Sequence, residues 1–317
     1  PATRSIEDIG ALDSTSALEL TVLPASMLVL GAGYIGVELA QLFARAGVAV
    51  TLVSRRGVLP EAEPEISEAL EGYLASEGIR LARVAGYESV VRDGDGLRLS
   101  GNVGENFIAE RLVLATGRVP NSDGLNLGAA GIETDARGGI VVDAQMRTSN
   151  PSVWAAGDVI GCDQFVYMAA YGAKLAARNA VAGEARSYDN STMPWVVFSD
   201  PQVAGVGLSE AQARAAGREV LTSVLPLDAV SRALAARDTR GLIKLVADAR
   251  TDRLLGGVIL APEGADTVQT LAMALKFGMT TKALAETIFP YLTTVEGLKL
   301  AAQTFDRDVA TLSCCAG

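Results

Sequence analysis

The sequence predicts an α/β protein that opens with a Rossmann-like unit and closes with an α+β domain. Three observations predict it. An apolar run at Met27–Leu30 leads directly into Gly31-Ala-Gly-Tyr-Ile-Gly36. A helical pattern follows, and a second apolar run, Val48–Val53, completes strand–turn–helix–strand within about 30 residues. After Gly183 the character changes to strand-like segments with helices set between them.

Each element follows from its local pattern. Val37, Ala40, Leu42, Phe43 and Ala44 predict one apolar helix face, and Gly47 closes that helix. A second helix is predicted over Pro64–Ser76, carrying Ile66, Leu70, Tyr73 and Leu74. Short strands rich in Val and Leu come next, ending in Arg111-Leu-Val-Leu-Ala-Thr-Gly117. Turn chemistry makes Pro120–Gly124 a loop. A strand is expected at Gly139–Asp143, and Val153–Asp158 leads into a helix from Tyr167 to Ala182. Further strands are expected at Trp195–Phe198, Glu219–Pro226 and Leu242–Ala247, with helices at Glu210–Ala216, Thr267–Phe277 and Lys282–Ile288. A domain boundary is expected near residues 186–192.

Composition limits the functions available. A chain of 317 residues that is 49% hydrophobic and 20% charged can bury more than one core. Its net charge of −10 argues against nucleic acid or an anionic membrane surface as partner. The longest uncharged stretch, Leu20–Val37, has membrane length but holds Pro24 and three glycines, which suits a buried strand and turn. No basic segment followed by an apolar one marks a secretory leader, and the start at Pro1 rather than Met leads us to expect missing upstream sequence. Three cysteines make a disulfide framework a poor reading and favour a reducing cytoplasm. With no histidine at all, acid–base chemistry must fall to carboxylates, Tyr, Lys or thiols.

The glycine pattern Gly31-x-Gly33-x-x-Gly36 is weak evidence by itself, but here a strand precedes it and a helix follows. Such glycines allow a tight turn and let a pyrophosphate approach the N–H groups of the helix start. At the end of the second strand, an acidic residue would select a free ribose 2′-OH. That place holds Ser54, followed by Arg55 and Arg56. Two guanidiniums suit a 2′-phosphate, so NADPH is favoured over NADH, with ordinary surface arginines as the alternative.

Taken together, these motifs resemble the pyridine nucleotide-disulfide oxidoreductases. Gly31-Ala-Gly-Tyr-Ile-Gly-Val-Glu38, Ala115-Thr-Gly-Arg-Val-Pro-Asn121 and Ala155-Ala-Gly-Asp158 carry the match. The resemblance implies an NADPH-binding domain over 1–119, a partial FAD-binding central domain over 120–188 and a dimerisation domain over 189–317. It also implies that Gly117 and Arg118 serve the cofactors and that Asp158 hydrogen-bonds the ribityl chain of FAD. Tyr34 would cover the flavin until the nicotinamide arrives, and Glu38 would pair with a lysine upstream of this chain.

Near the end, the family carries a His-Pro segment followed by Glu. The matching stretch here is Phe289-Pro-Tyr-Leu-Thr-Thr-Val-Glu296, with Tyr291 in the histidine position. That replacement, the run Glu296–Phe305 and the ending Cys314-Cys315-Ala-Gly317 resemble the mercury(II)-reducing members of the family. So do Gln164–Tyr167, Val197–Val203 and Arg232–Leu234. Adjacent cysteines close a strained ring if oxidised, whereas two thiolates match a soft cation such as Hg(II). The resemblance therefore implies Hg(II) as substrate, captured by Cys314 and Cys315 from small thiols and passed along a route near Tyr291 and Glu296 in a homodimer. Cys162 is expected to have no role.

Two other readings stay open: a flavin-dependent reductase of a low-molecular-weight disulfide, and a non-catalytic remnant that binds soft metals. No glycine-rich turn precedes residue 27, and no Cys-x4-Cys pair is present. The resemblance places both in the first half of the flavin domain, so a C-terminal fragment that holds flavin poorly by itself is expected.

Overall fold

A computed structural model describes residues 9–311. Its contacts divide the chain into two units: one takes the chain up to Thr116 and from Thr192 onward, the other is Gly117–Ser191.

In the first unit, a short helix α1 (Ser14–Leu18) is capped by the Asp13 side chain, which accepts the Ser16 N–H. Then come β1 (Ser26–Leu30), α2 (Tyr34–Arg45), β2 (Ala49–Ser54), α3 (Pro64–Ser76) and β3 (Arg80–Arg83). With β7 (Arg111–Leu114) they make a four-stranded parallel sheet of order β3-β2-β1-β7. Between β3 and β7 lies an antiparallel meander, β4 (Tyr87–Asp93), β5 (Gly96–Gly101) and β6 (Asn106–Ala109).

The unbroken apolar run of β1 has a simple cause, which is burial on both faces. Met27 and Val29 join the core under α2 and α3, while Leu28 and Leu30 join a second core built from the meander's Val90, Leu97, Leu99 and Phe107. The α2 face differs from expectation at one residue. Val37, Leu39, Ala40 and Phe43 are buried, but Leu42 is exposed. It lies two residues beyond Ala40, about 200° around the helix, and so points away from the sheet. Tyr73 of α3 is only partly apolar in use, because its hydroxyl accepts the Gly241 N–H at 2.9 Å.

The second unit is mostly turns, three short 3-10 segments and the helix α4 (Val166–Ala182). The strand expected at Gly139–Asp143 does not form; Ile140 and Val142 make isolated bridges only. The local aspartates explain why. Asp135 accepts the N–H groups of Arg137 and Gly139, and Asp143 accepts those of Gln145 and Arg147, so side chains occupy backbone donors that a ladder would need.

From Thr192 the first unit resumes. It contains β8 (Pro194–Val197), β9 (Gln202–Gly207), α5 (Glu210–Ala215), β10 (Val220–Pro226), α6 (Ser231–Ala236), β11 (Leu242–Asp248) and β12 (Leu254–Ala261). The strands form an antiparallel sheet of order β10-β11-β12-β9-β8. Helices α7 (Gly264–Lys276), α8 (Thr281–Glu286) and α9 (Glu296–Gln303) complete it. Val197, Val203, Val258 and Leu260 of this sheet share a core with residues of α2 and α3.

Two ionic clusters also join the halves of this unit. Lys244 of β11 is buried, and its Nζ donates to Glu63 at 2.9 Å, Glu65 at 2.9 Å and Glu210 at 3.0 Å. Burial opposes its charge, yet its hydrogen bonds to Glu65, Glu63 and Glu210 outweigh that and hold the ammonium above the usual lysine range. The second cluster is exposed to half-exposed. Arg45 pairs with Glu77 at 2.7 Å and Asp200 at 2.8 Å, and Arg240 pairs with Asp238 at 2.8 Å and Asp200 at 3.1 Å.

Candidate functional site

The turn between β1 and α2 is built by close approach. A Cβ at Gly31, where φ is +106°, would lie 2.3 Å from the Ala115 carbonyl oxygen. A Cβ at Gly36 would lie 1.8 Å from the Gly31 carbonyl oxygen. Neither position can carry a side chain, so the chain leaving β7 and the first turn of α2 both press on the end of β1. Gly33 is different: nothing lies within 4 Å of where its Cβ would be. It is the N-cap of α2, and no side chain caps the helix there. A 12-residue helix thus offers its first N–H groups beside open space, which fits a pyrophosphate group.

At the end of β2, Ser54 is buried and its Oγ accepts the Gly57 N–H at 3.0 Å. Arg55 is exposed and makes no ion pair among the described residues. Arg56 is exposed and pairs with Glu61 at 2.7 Å. The structure therefore brings Gly31, Gly33, Gly36, Ser54, Arg55 and Arg56 to one end of the parallel sheet, at the carboxyl ends of its strands. In doubly wound folds, ligands bind at that end.

One face of α2 connects this end to β8 and β9. Tyr34 stacks on Trp195, with centroids 5.6 Å apart and rings 18° from parallel. Glu38 accepts the Phe198 N–H at 2.8 Å. Gln41, buried, donates to the Asp200 carbonyl at 2.9 Å and accepts the Asp200 N–H at 2.7 Å. With Arg45, these residues sit at steps of four, three and four, which is one helix face. Trp195 itself lies flat on β9, since a Cβ at Gly205 would fall 2.5 Å from its ring. The sequence patterns did not single out Trp195. Only the spacing of Tyr34, Glu38, Gln41 and Arg45 could have signalled a polar face seeking a partner.

In the Gly117–Ser191 unit, Gly117 and Arg118 are exposed, and the Arg118 carbonyl accepts from Arg137 at 3.1 Å. Asp158 is exposed at the start of a 3-10 turn. Cys162 is an exposed free thiol, and partial burial of its sulfur together with the Asp163 charge pushes its pKa up, the opposite of an activated nucleophile.

Toward the end of the chain, Tyr291 is exposed and Glu296, the first residue of α9, is buried. One Glu296 carboxylate oxygen has no hydrogen-bond partner among the described residues. Cys314 and Cys315 lie outside the described residues. Among the described residues, no group of three or more Cys, Asp or Glu is placed to hold a metal ion, and no helix is long and apolar enough to cross a membrane.

Comparison with known proteins bears on the whole chain. Residues 2–179 match the family model described as pyridine nucleotide-disulphide oxidoreductase, and residues 193–302 match that family's dimerisation domain. A mercuric reductase of Bacillus cereus is 48% identical over 100% of this chain and 51% of its own length. One from Streptomyces lividans is 45% identical over 100% of this chain and 68% of its own. Among solved structures, the Cu(II) complex of the HOCl-induced flavoprotein disulfide reductase RclA from Escherichia coli superimposes with a TM-score of 0.89 at 30% identity. That match covers 96% of this chain and 69% of that one. The chain thus spans about half of the first of these relatives and about two thirds of the other two.

Proposed function

Since the chain belongs to the pyridine nucleotide-disulphide oxidoreductase family, we propose that the protein works as a cytoplasmic, homodimeric, NADPH-dependent flavoprotein that reduces Hg(II) to Hg(0) and so detoxifies mercury. The observation that carries this reading is identity of 45–48% with mercuric reductases of two genera along the entire chain. The reaction balances as NADPH plus Hg(II) giving NADP+, a proton and Hg(0).

The residues divide the work. Gly31, Gly33 and Gly36 let the pyrophosphate of NADPH lie on the N–H groups of α2, and Arg55 and Arg56 answer its 2′-phosphate. FAD, when bound, supplies a two-electron path from nicotinamide to metal. Tyr34 and Glu38 shape the flavin side of the nucleotide site, and Gly117, Arg118 and Asp158 hold cofactor groups. Cys314 and Cys315 take Hg(II) from small thiols, because two thiolates are its preferred ligands. Tyr291 and Glu296 line the passage inward.

A second reading, reduction of a low-molecular-weight disulfide, draws support from the likeness to a flavoprotein disulfide reductase. Against it, the chain has no histidine to act as the acid–base group toward a thiol. The deciding experiment follows NADPH oxidation by the flavin-loaded enzyme with Hg(II) or with disulfides, in wild type and in Cys314→Ala/Cys315→Ala. The mercury reading expects Hg(II)-dependent oxidation, and the double variant should lose rate at low mercury and limiting thiol. Oxidation that follows disulfide and ignores Hg(II) would overturn it. A double variant as fast as wild type would remove the capture role.

A further inference from the structure

We propose that Arg83 is a nucleotide-specificity residue that recognises the 2′-phosphate of NADPH alongside Arg55, an inference that rests on the NADPH reading above. Nothing local in the sequence marks Arg83; the sheet places it. In the parallel pairing of β2 with β3, Ser54 and Arg83 are register partners, each the last residue of its strand. Ser54 holds the position where a carboxylate would read a ribose 2′-OH. Its neighbour across the strand gap is therefore a guanidinium at the ligand-binding end of the sheet.

The side chain lies over the turn that follows β2. A Cβ at Gly57 would stand 2.9 Å from Arg83 Nη2 and 3.2 Å from its Cζ. Glu71 of α3 fixes the guanidinium there, with Nη2 donating to both carboxylate oxygens at 2.8 and 2.9 Å. The Glu71 carboxylate also accepts the Val58 N–H at 3.0 Å. Among the described residues, only Nη2 of Arg83 has acceptors. Nε and Nη1 keep their N–H groups for a ligand, on a side chain that is 65% exposed.

Charge makes the assignment sharper. A phosphate dianion near Ser54 would meet the Glu71 carboxylate, and Arg83 cancels that charge while offering its remaining donors. Without Arg83, Glu71 would stand bare beside the ribose. A bare carboxylate repels a 2′-phosphate and accepts a hydrogen bond from a 2′-OH, so one substitution should turn the preference toward NADH.

The test measures Kd for NADP+ and NAD+ by calorimetry on the flavin-loaded enzyme in wild type, Arg83→Ala, Arg83→Ala/Glu71→Gln and Arg55→Ala/Arg56→Ala. For Arg83→Ala, NADP+ binding should weaken about tenfold or more, with NAD+ binding unchanged or tighter. Unchanged NAD+ binding also shows that the variant is folded. Adding Glu71→Gln should restore part of the NADP+ affinity. The proposal is overturned if Arg83→Ala leaves the NADP+/NAD+ ratio within about twofold while Arg55→Ala/Arg56→Ala lowers it, and the NADPH reading survives that outcome. A wild type that binds NAD+ as tightly as NADP+ would remove both.

Discussion

The two ionic clusters of the first unit join the same two stretches of chain in opposite ways. At Lys244 one buried cation meets three carboxylates; the Lys244 and Glu63 side chains are 2% and 3% exposed, while Glu65 and Glu210 reach the surface. Around Arg45 and Arg240 the guanidiniums and carboxylates range from 20% to 46% exposed. Both join α2 or α3 to the segment after Thr192. In water the second cluster can lose any one member and let solvent replace it. The first cannot, because removing its cation leaves the buried Glu63 carboxylate charged with only the Glu210 N–H donating to it among the described residues.

The largest expected effect follows from that asymmetry. Lys244→Met should lower unfolding free energy in urea by about 3–5 kcal/mol, and adding Glu63→Gln should recover part of the loss. A cost under about 1 kcal/mol would mean that the cage is open to solvent and that the contrast is false.

The pH dependence comes next. Lys244 has its pKa raised on folding, so its stabilising contribution is complete below the ordinary 10.5 and is lost as pH climbs through the folded value. Glu210 has its pKa lowered, chiefly by the hydrogen bonds from Lys244 and Arg214. Its contribution is complete above the ordinary 4.5 and is lost as pH falls through the folded value. Urea midpoints should therefore sag at both ends of the pH range, and Lys244→Met should flatten the alkaline limb. An alkaline limb identical in both proteins would refute the role given to Lys244.

Smaller still is the effect of the half-buried stack of Tyr34 on Trp195. A double-mutant cycle of Tyr34→Ala and Trp195→Ala, read by thermal unfolding, should give a coupling of about 0.5–1.5 kcal/mol; additive effects would show that the rings merely lie near each other. The smallest effect belongs to the exposed cluster. Arg45→Met should cost about 0.2–1 kcal/mol, with most of it gone at high salt. A larger, salt-insensitive cost would place this cluster with the buried one.

What the sequence made legible is what neighbours in sequence decide. Gly31, Gly33 and Gly36 lie within six residues, so the turn and its helix could be read before any contact was known. Helix α3 was legible end to end because Pro64 starts it and Ile66, Leu70 and Leu74 repeat at its period. The glycine-bearing strands β9 and β12 were missed, since Gln202–Gly207 and Leu254–Ala261 show no alternation once both faces are buried. Gly139–Asp143 misled for the opposite reason: Ile140, Val141 and Val142 make a β-branched apolar run, but aspartate side chains hold the backbone in turns. Lys244 and its carboxylates come from three separate stretches of chain, and Arg83 acquires meaning only through its register with Ser54. No window along the chain contains either site.

The grip of α2 on residues 198–200 has a consequence for which substitutions the protein can tolerate. Glu38 and Gln41 hold the main-chain N–H of Phe198 and the N–H and carbonyl of Asp200, as a neighbouring strand would. These three bonds do not depend on which side chains stand at 198 and 200, so long as both positions keep their N–H, although the Asp200 carboxylate is used separately by Arg45 and Arg240. On the helix side the identities are fixed, because an amide of that length must reach both groups at once. Variation can accumulate at position 198 on one edge of this joint and hardly at all at Glu38 and Gln41 on the other.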